Sequence, residues 1–246
     1  MVDRVIAVLD ALAGGGSSPA ELAQETGIAR STIYRIAAAL QSHDVVQRTS
    51  AGEYLLGTRV LSWGTAAVAA LPWLTTVRDV LGTLHKETGE SVQFYVREGR
   101  ERLCVAAVDR PTGLRETVAV GERLALNAGS GAKILLAWSD DWQQFGDIDK
   151  AELDRIRLEG TAYSIAEREV GVASVSAAVM TGPKRILGAL SVSGPMQRIV
   201  PNIERLRLQA ARAARCLTAS WEDGDFPPGD PLTPGTETED ARDETA

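Results

Sequence analysis

Ser18, Pro19 and Glu21 mark a helix start more firmly than any other local signal in this chain. A serine cap, a proline at the first helical position and a glutamate three residues after the cap make a capping box with a pre-set φ. Gly27 ends that helix, because a tight helix-to-helix turn needs a residue that tolerates positive φ. A second helix is expected from about Ala29 to Gln41. Its apolar residues Ile33, Ile36, Ala37 and Leu40 recur at i, i+3, i+4 and i+7, which is one buried face. Val45 to Arg48 and Glu53 to Leu56 then form two β-like runs joined by Thr49-Ser50-Ala51-Gly52, a hairpin with a glycine turn. Helix, turn, helix and hairpin between residues 17 and 56 make a winged helix-turn-helix.

The outer face of the second helix carries Arg30, Ser31, Tyr34 and Arg35. Short polar and cationic groups of this kind suit base edges and phosphates in a major groove. The candidate DNA contacts are Arg30, Ser31, Thr32, Tyr34 and Arg35, with Arg48 on the hairpin within reach of a phosphate. Tyr34 serves equally well as cover for the domain surface. The same elements without DNA would be a packing module; the agreement of helix lengths, turn glycine and hairpin favours the DNA reading.

The formal net charge is −7, which does not suit a DNA binder until its distribution is considered. From Glu222 to the end there are nine acidic residues and one basic residue, so this tail alone makes the protein acidic. With Pro227, Pro228, Pro231 and Pro234 and almost no apolar residues after Phe226, the tail is expected to be disordered. A charge-repelling brush and a modulator of DNA affinity are both compatible with it. Residues 1–60 hold five arginines against six acids, so one copy neutralises few phosphates. That favours a dimer or tetramer presenting several recognition helices.

Around this motif, a first helix is expected over Val2 to Ala13, with Val5, Ile6, Leu9 and Leu12 inward. Thr58 to Leu71 reads as a linker helix whose apolar residues exceed one stripe, so another chain is expected to bury part of it. Pro72 opens a helix ending at Gly89, with Val77, Val80, Leu81 and Leu84 inward. From Ser91 the period becomes strand-like. Candidate strands are 92–97, 103–108, 117–120, 172–179 and 187–193, with helices at about 131–138, 149–159 and 201–220. The fold class is α+β with an antiparallel sheet in the C-terminal part. The expected domains are 1–57, a winged helix-turn-helix; 58–71, the linker helix; 72–221, an effector-binding domain; and 222–246, the acidic tail.

Several segments carry a more specific likeness. Glu21-Leu22-Ala23, Thr26-Gly27, Ser31-Thr32 and Arg35 resemble the IclR family of bacterial transcriptional regulators. So do Gly129-Ser130-Gly131-Ala132-Lys133-Ile134-Leu135-Leu136-Ala137, Glu167 to Ala177 and Leu190-Ser191-Val192-Ser193-Gly194-Pro195. The resemblance covers roughly residues 2–220. Thr88-Gly89-Glu90-Ser91, Cys104-Val105-Ala106-Ala107 and Ala128 to Trp138 look like its actinobacterial branch of NdgR- and LtbR-type regulators of amino-acid biosynthesis. The resemblance implies a C-terminal GAF-like effector-binding domain and assembly as a homodimer or dimer of dimers; no cofactor and no enzymatic activity are expected.

Read physically, Ser191 and Ser193 lie two apart on a strand and share one face, as do Ser174 and Ser176. Such hydroxyls bond neighbouring backbone and water, or a ligand. Asn127-Ala128-Gly129-Ser130-Gly131 leads into a helix whose N-terminal amides suit an anion. The resemblance implies ligand contacts at Ser130, Gly131, Ser174, Ser191 and Ser193. Asn127 stands where the family commonly has His, and Ala132 where it has Gly. Glu167 either lines the pocket or caps a turn. The candidate effector site is therefore Asn127, Ser130, Gly131, Glu167, Ser174, Ser191 and Ser193, for an amino acid or small carboxylate. An effector would act by changing the spacing of two recognition helices through the linker helix.

Other chemistries find little support. Cys104 and Cys216 are too few for a disulfide framework, and two histidines without ligand spacing do not make a zinc site. Cys104 in an apolar strand reads as a small core residue or, less simply, a redox sensor. Lys133 reads as a solvated or structural helix residue. A serine or cysteine nucleophile would lack a paired base, and Gly-x-Ser-x-Gly is absent. No apolar run approaches membrane-spanning length, and the amphipathic N-terminus is not a signal peptide, so the expected location is cytoplasmic.

Overall fold

The computed structural model describes residues 1–146, 148–182 and 185–222, with Trp221 and Glu222 described by backbone alone. The acidic tail beyond Glu222 lies outside the described residues. Two compact units emerge, Met1–Leu71 and the described residues from Pro72 onward.

The first unit holds α1 (Val2–Ala13), α2 (Pro19–Thr26), α3 (Arg30–Gln41), the strands β1 (Val46–Arg48) and β2 (Tyr54–Leu56), and α4 (Arg59–Ala69). The capping box forms at both ends: the Glu21 amide donates to Ser18 Oγ at 3.3 Å, and the Ser18 amide to Glu21 Oε2 at 2.8 Å. Gly27 sits at φ +67°. Val8, Leu12, Leu22, Ile33, Ile36, Ala37, Val46 and Tyr54 build the core. Ile6, expected inward, is instead 49% exposed. It lies two residues before Val8, nearly opposite on a 100° helical wheel, and Val8 is the residue the core takes. β1 and β2 pair antiparallel, Arg48 opposite Tyr54. α4 buries no residue: Leu61 is 71% and Trp63 52% exposed.

The second unit opens with α5 (Trp73–Thr88), followed by β3 (Ser91–Glu98), β4 (Glu101–Val108), β5 (Arg123–Ala125), α6 (Ser130–Ala137) and α7 (Lys150–Glu159). β6 (Thr161–Ile165), β7 (Val172–Gly182), β8 (Arg185–Pro195), the short α8 (Met196–Ile199) and α9 (Ile203–Glu222) complete it. The sheet is antiparallel, in the order β5-β4-β3-β8-β7-β6. Its class is α+β. α5 and α9 pack against the sheet, with Trp73 of α5 meeting the Phe94 ring edge-on at 6.2 Å. α6 packs against β7, β8 and β6 on the face that carries Tyr95, Cys104 and Ala189.

The strand expected at 117–120 is a loop. Val118 alone anchors it in the core, and its backbone pairing with β4 is irregular: Cys104 N–H donates to Glu122 O, and Gly121 N–H to Cys104 O. The third regular strand is β5, one turn later, and β6 was not anticipated because Thr161-Ala-Tyr-Ser-Ile is short and mixed in polarity.

Candidate functional site

In the first unit, Arg30, Ser31, Tyr34 and Arg35 are exposed on α3, while Thr32 is half-buried. Neither Arg30 nor Arg35 forms an ion pair among the described residues. Arg48 on β1 is exposed, its Nε donating to Gly52 O at 3.3 Å and its guanidinium 5.7 Å from the Tyr54 ring centre. The α3 face is therefore held by its buried opposite side and leaves its cations unpaired.

In the second unit, a small cavity of about 30 Å³ opens between the N-terminus of α6 and the strands β3, β4, β6, β7 and β8. Ser130, Gly131, Glu167, Ser174, Ser191 and Ser193 line it together. Strand alternation explains the serines, and the register places Ser176 opposite Ser191 and Ser174 opposite Ser193. Ser130, from the first turn of α6, joins the strands: its hydroxyl lies 2.6 Å from Ser174 Oγ and 2.7 Å from Ser176 Oγ. Ser164 of β6 extends the chain to Ser174 at 2.9 Å, and Ser191 extends it from Ser176 at 2.6 Å. Five hydroxyls joined by four bonds hold one proton more than the chain can use, so one O–H is left to donate elsewhere.

Asn127 departs from the expected set. It is exposed, just before α6, and is not among the residues lining the cavity. Glu167 lines the cavity, and its Oε2 accepts from the Gly129 amide at 3.1 Å at the start of α6, where the helix has no side-chain cap from its own N-cap residue. Lys133 is structural: it bridges Glu167 at 2.6 Å and Glu152 at 3.0 Å. Burial pulls its pKa down, but the two carboxylates outweigh that, and the net shift is upward.

Sequence reasoning missed Gln93, Tyr95, Arg102, Glu116 and Arg168, which also line it. Arg102 is 3% exposed. Its Nη1 donates to Ala125 O at 2.7 Å and Ala128 O at 2.9 Å, and its Nε has no partner. Burial pulls its pKa down to about 10, with Arg168 adding to the drop, so it stays cationic at neutral pH. The available signal was a charge at the inward position of an otherwise alternating strand, two residues before Cys104. Gln93 Oε1 accepts from Ser193 Oγ at 3.1 Å while its Nε2 lacks a partner. Glu116 pairs with Arg168. Cys104 is fully buried and its thiol is pushed up to about 12 by burial, which makes it a core residue with negligible thiolate at neutral pH.

Residues 1–50 match the IclR helix-turn-helix domain, and residues 65–145 and 147–218 match the bacterial transcriptional regulator IclR C-terminal domain. The chain belongs to the IclR family. It is similar to the HTH-type transcriptional regulator Rv1719 of Mycobacterium tuberculosis, 33% identical over 75% of this chain and 77% of that one. It is also similar to the glycerol operon regulatory protein of Streptomyces coelicolor, 27% identical over 90% of this chain and 95% of the other. Among solved structures, an IclR homologue from Microbacterium hydrocarbonoxydans in complex with 4-hydroxybenzoate shares the fold at a TM-score of 0.74, with 17% identity over 89% and 99% of the two chains. This IclR-family chain is thus a DNA-binding transcriptional regulator and not an enzyme. No single described helix is long and apolar enough to cross a membrane.

Proposed function

We propose that this IclR-family protein is a cytoplasmic, sequence-specific regulator that reads a double-stranded operator with α3 and the β1–β2 wing and answers to a small effector held at the start of α6. The observation that carries the DNA contacts is the outward face of α3, where Arg30 and Arg35 are exposed and have no ion pair. Ser31, Thr32 and Tyr34 share the base-facing role, and Arg48 on the wing takes a phosphate. What supports the effector site is one cavity that gathers the serine chain, a buried guanidinium and the start of α6. We assign the protein a homodimer or dimer of dimers, because Leu61 and Trp63 on α4 stand exposed within one chain.

The finer reading is control of amino-acid biosynthesis, in the manner of the NdgR- and LtbR-type branch. A catabolic role with a small carboxylate effector is the second reading, favoured by the relative named for the glycerol operon and by the relative bound to 4-hydroxybenzoate. In either case the effector must bind the two arrangements of a DNA-binding pair with different affinity.

Operator binding to the upstream region of the gene itself, followed by fluorescence anisotropy with and without amino acids and 2-oxo acids, tests this. Arg30→Ala and Arg35→Ala are each expected to lose about 1–3 kcal/mol of discrimination. Unchanged binding in both folded variants would overturn the assignment of α3.

A further inference from the structure

Three buried polar atoms of residues lining the cavity lack partners: the donors Gln93 Nε2 and Arg102 Nε, and the acceptor Glu116 Oε2. Arg102 Nε, on a residue 97% buried, is a donor without an acceptor, and no carboxylate pairs with that guanidinium among the described residues. Glu116 Oε2 is an acceptor without a donor: its other oxygen pairs with Arg168, and its side chain is only 7% exposed. Both residues line the same space. They make no ion pair with each other. Unpartnered buried polar atoms are costly, and one molecule that reaches both removes both costs at once.

We propose that this cavity takes the zwitterionic head of a small α-amino acid, with its carboxylate on Arg102 and its ammonium on Glu116. The inference deepens, and rests on, the reading of this cavity as the effector site. A simple carboxylic acid would satisfy Arg102 and leave Glu116 Oε2 without a donor; an amine would do the reverse. The N-terminal amides of α6 lie beside the carboxylate end, since Arg102 Nη2 comes within 3.4 Å of the point where a Cβ on Gly129 would sit. The surplus hydroxyl proton of the serine chain adds a donor for the same carboxylate or for a polar side chain. Val172 is the one aliphatic side chain among the lining residues, so the occupant buries little apolar surface there.

Calorimetric titration of the full chain with glycine, L-alanine and L-serine, against pyruvate, L-lactate and ethylamine, tests the proposal. L-Alanine or its two neighbours should bind at least about tenfold tighter than any of the analogues that lack one charge. Arg102→Met should abolish binding of all the acids. Glu116→Gln, isosteric and able to donate where the carboxylate accepted, should reverse the order and favour pyruvate or L-lactate over L-alanine. Pyruvate or L-lactate binding as tightly as L-alanine to the unaltered protein would overturn the zwitterion and leave the cavity an effector site. L-Alanine binding that survives both substitutions would overturn it by placing the ligand elsewhere. Binding of none of these amino acids also overturns it, while a different acid that binds and is lost in Arg102→Met would keep the cavity as the effector site.

Discussion

The Arg102 guanidinium lies 5.5 Å from the centre of the Tyr95 ring, inside the protein and without a carboxylate partner. A buried cation held only by two carbonyls and a ring face is an expensive arrangement for stability alone, since the effective penalty for burying an ion is several kcal/mol. The two hydrogen bonds to Ala125 and Ala128 return about 1 kcal/mol each. Arg102→Met is therefore expected to unfold at the same temperature as the parent or a few degrees above it when no effector is present. Thermal unfolding of both proteins decides this, and a loss of more than about 2 kcal/mol would make Arg102 a structural residue.

Gly188 on β8 faces the backbone of β3. A Cβ there would lie 2.4 Å from Tyr95 O and 2.6 Å from Phe94 Cζ, so strand or ring must shift. Gly188→Ala should cost about 3 kcal/mol, from overpacking in the centre of the sheet. Urea denaturation gives the value; a change below about 1 kcal/mol would show that β3 and β8 have slack.

Ser18 closes both halves of its capping box with Glu21. Ser18→Ala should lower stability by about 1 kcal/mol through loss of the cap at α2. Denaturant midpoints of an Asp variant provide the control: Ser18→Asp should restore most of the loss, because its carboxylate accepts from the same amide.

Asp141 is held down to about 2 by its hydrogen bond with Arg97 at 2.7 Å, helped by the hydroxyl of Ser139. The folded protein thus favours the charged carboxylate relative to the unfolded chain. The resulting stability is fully present above about pH 4 and is lost as pH falls toward 2. Comparison of the parent with Asp141→Asn by denaturation across this range should show a gap that is constant near neutral pH and closes at acid pH. A gap independent of pH would mean that the ion pair contributes nothing to the acid response.

Much of the first unit was legible in the chain because its signals are local. A cap and its glutamate are three residues apart, Gly27 sits at the turn it permits, and the buried face of α3 repeats every three to four residues. The serine pairs of β7 and β8 were legible for the same reason, since alternation alone sets which residues share a strand face. Asn127 was misplaced because standing next to a helix start does not determine where a side chain points.

The order of the strands and the company each side chain keeps were decided only in three dimensions. A register shift in the β3–β4 pair puts Phe94 opposite Ala106 but Tyr95 opposite Cys104. That bulge turns the end of β4 so that Arg102 meets Tyr95 in the cavity, while Phe94 meets Trp73 of α5. Ser130 reaches Ser174 and Ser176 across more than forty residues, and Glu116 reaches Arg168 across fifty-two. Local propensity carries no information about such distances. Local signals in the chain set which segments form helices and which faces are polar; the sheet register, through one extra residue in β4, decided that Arg102 would face the cavity that Glu116 lines from a loop.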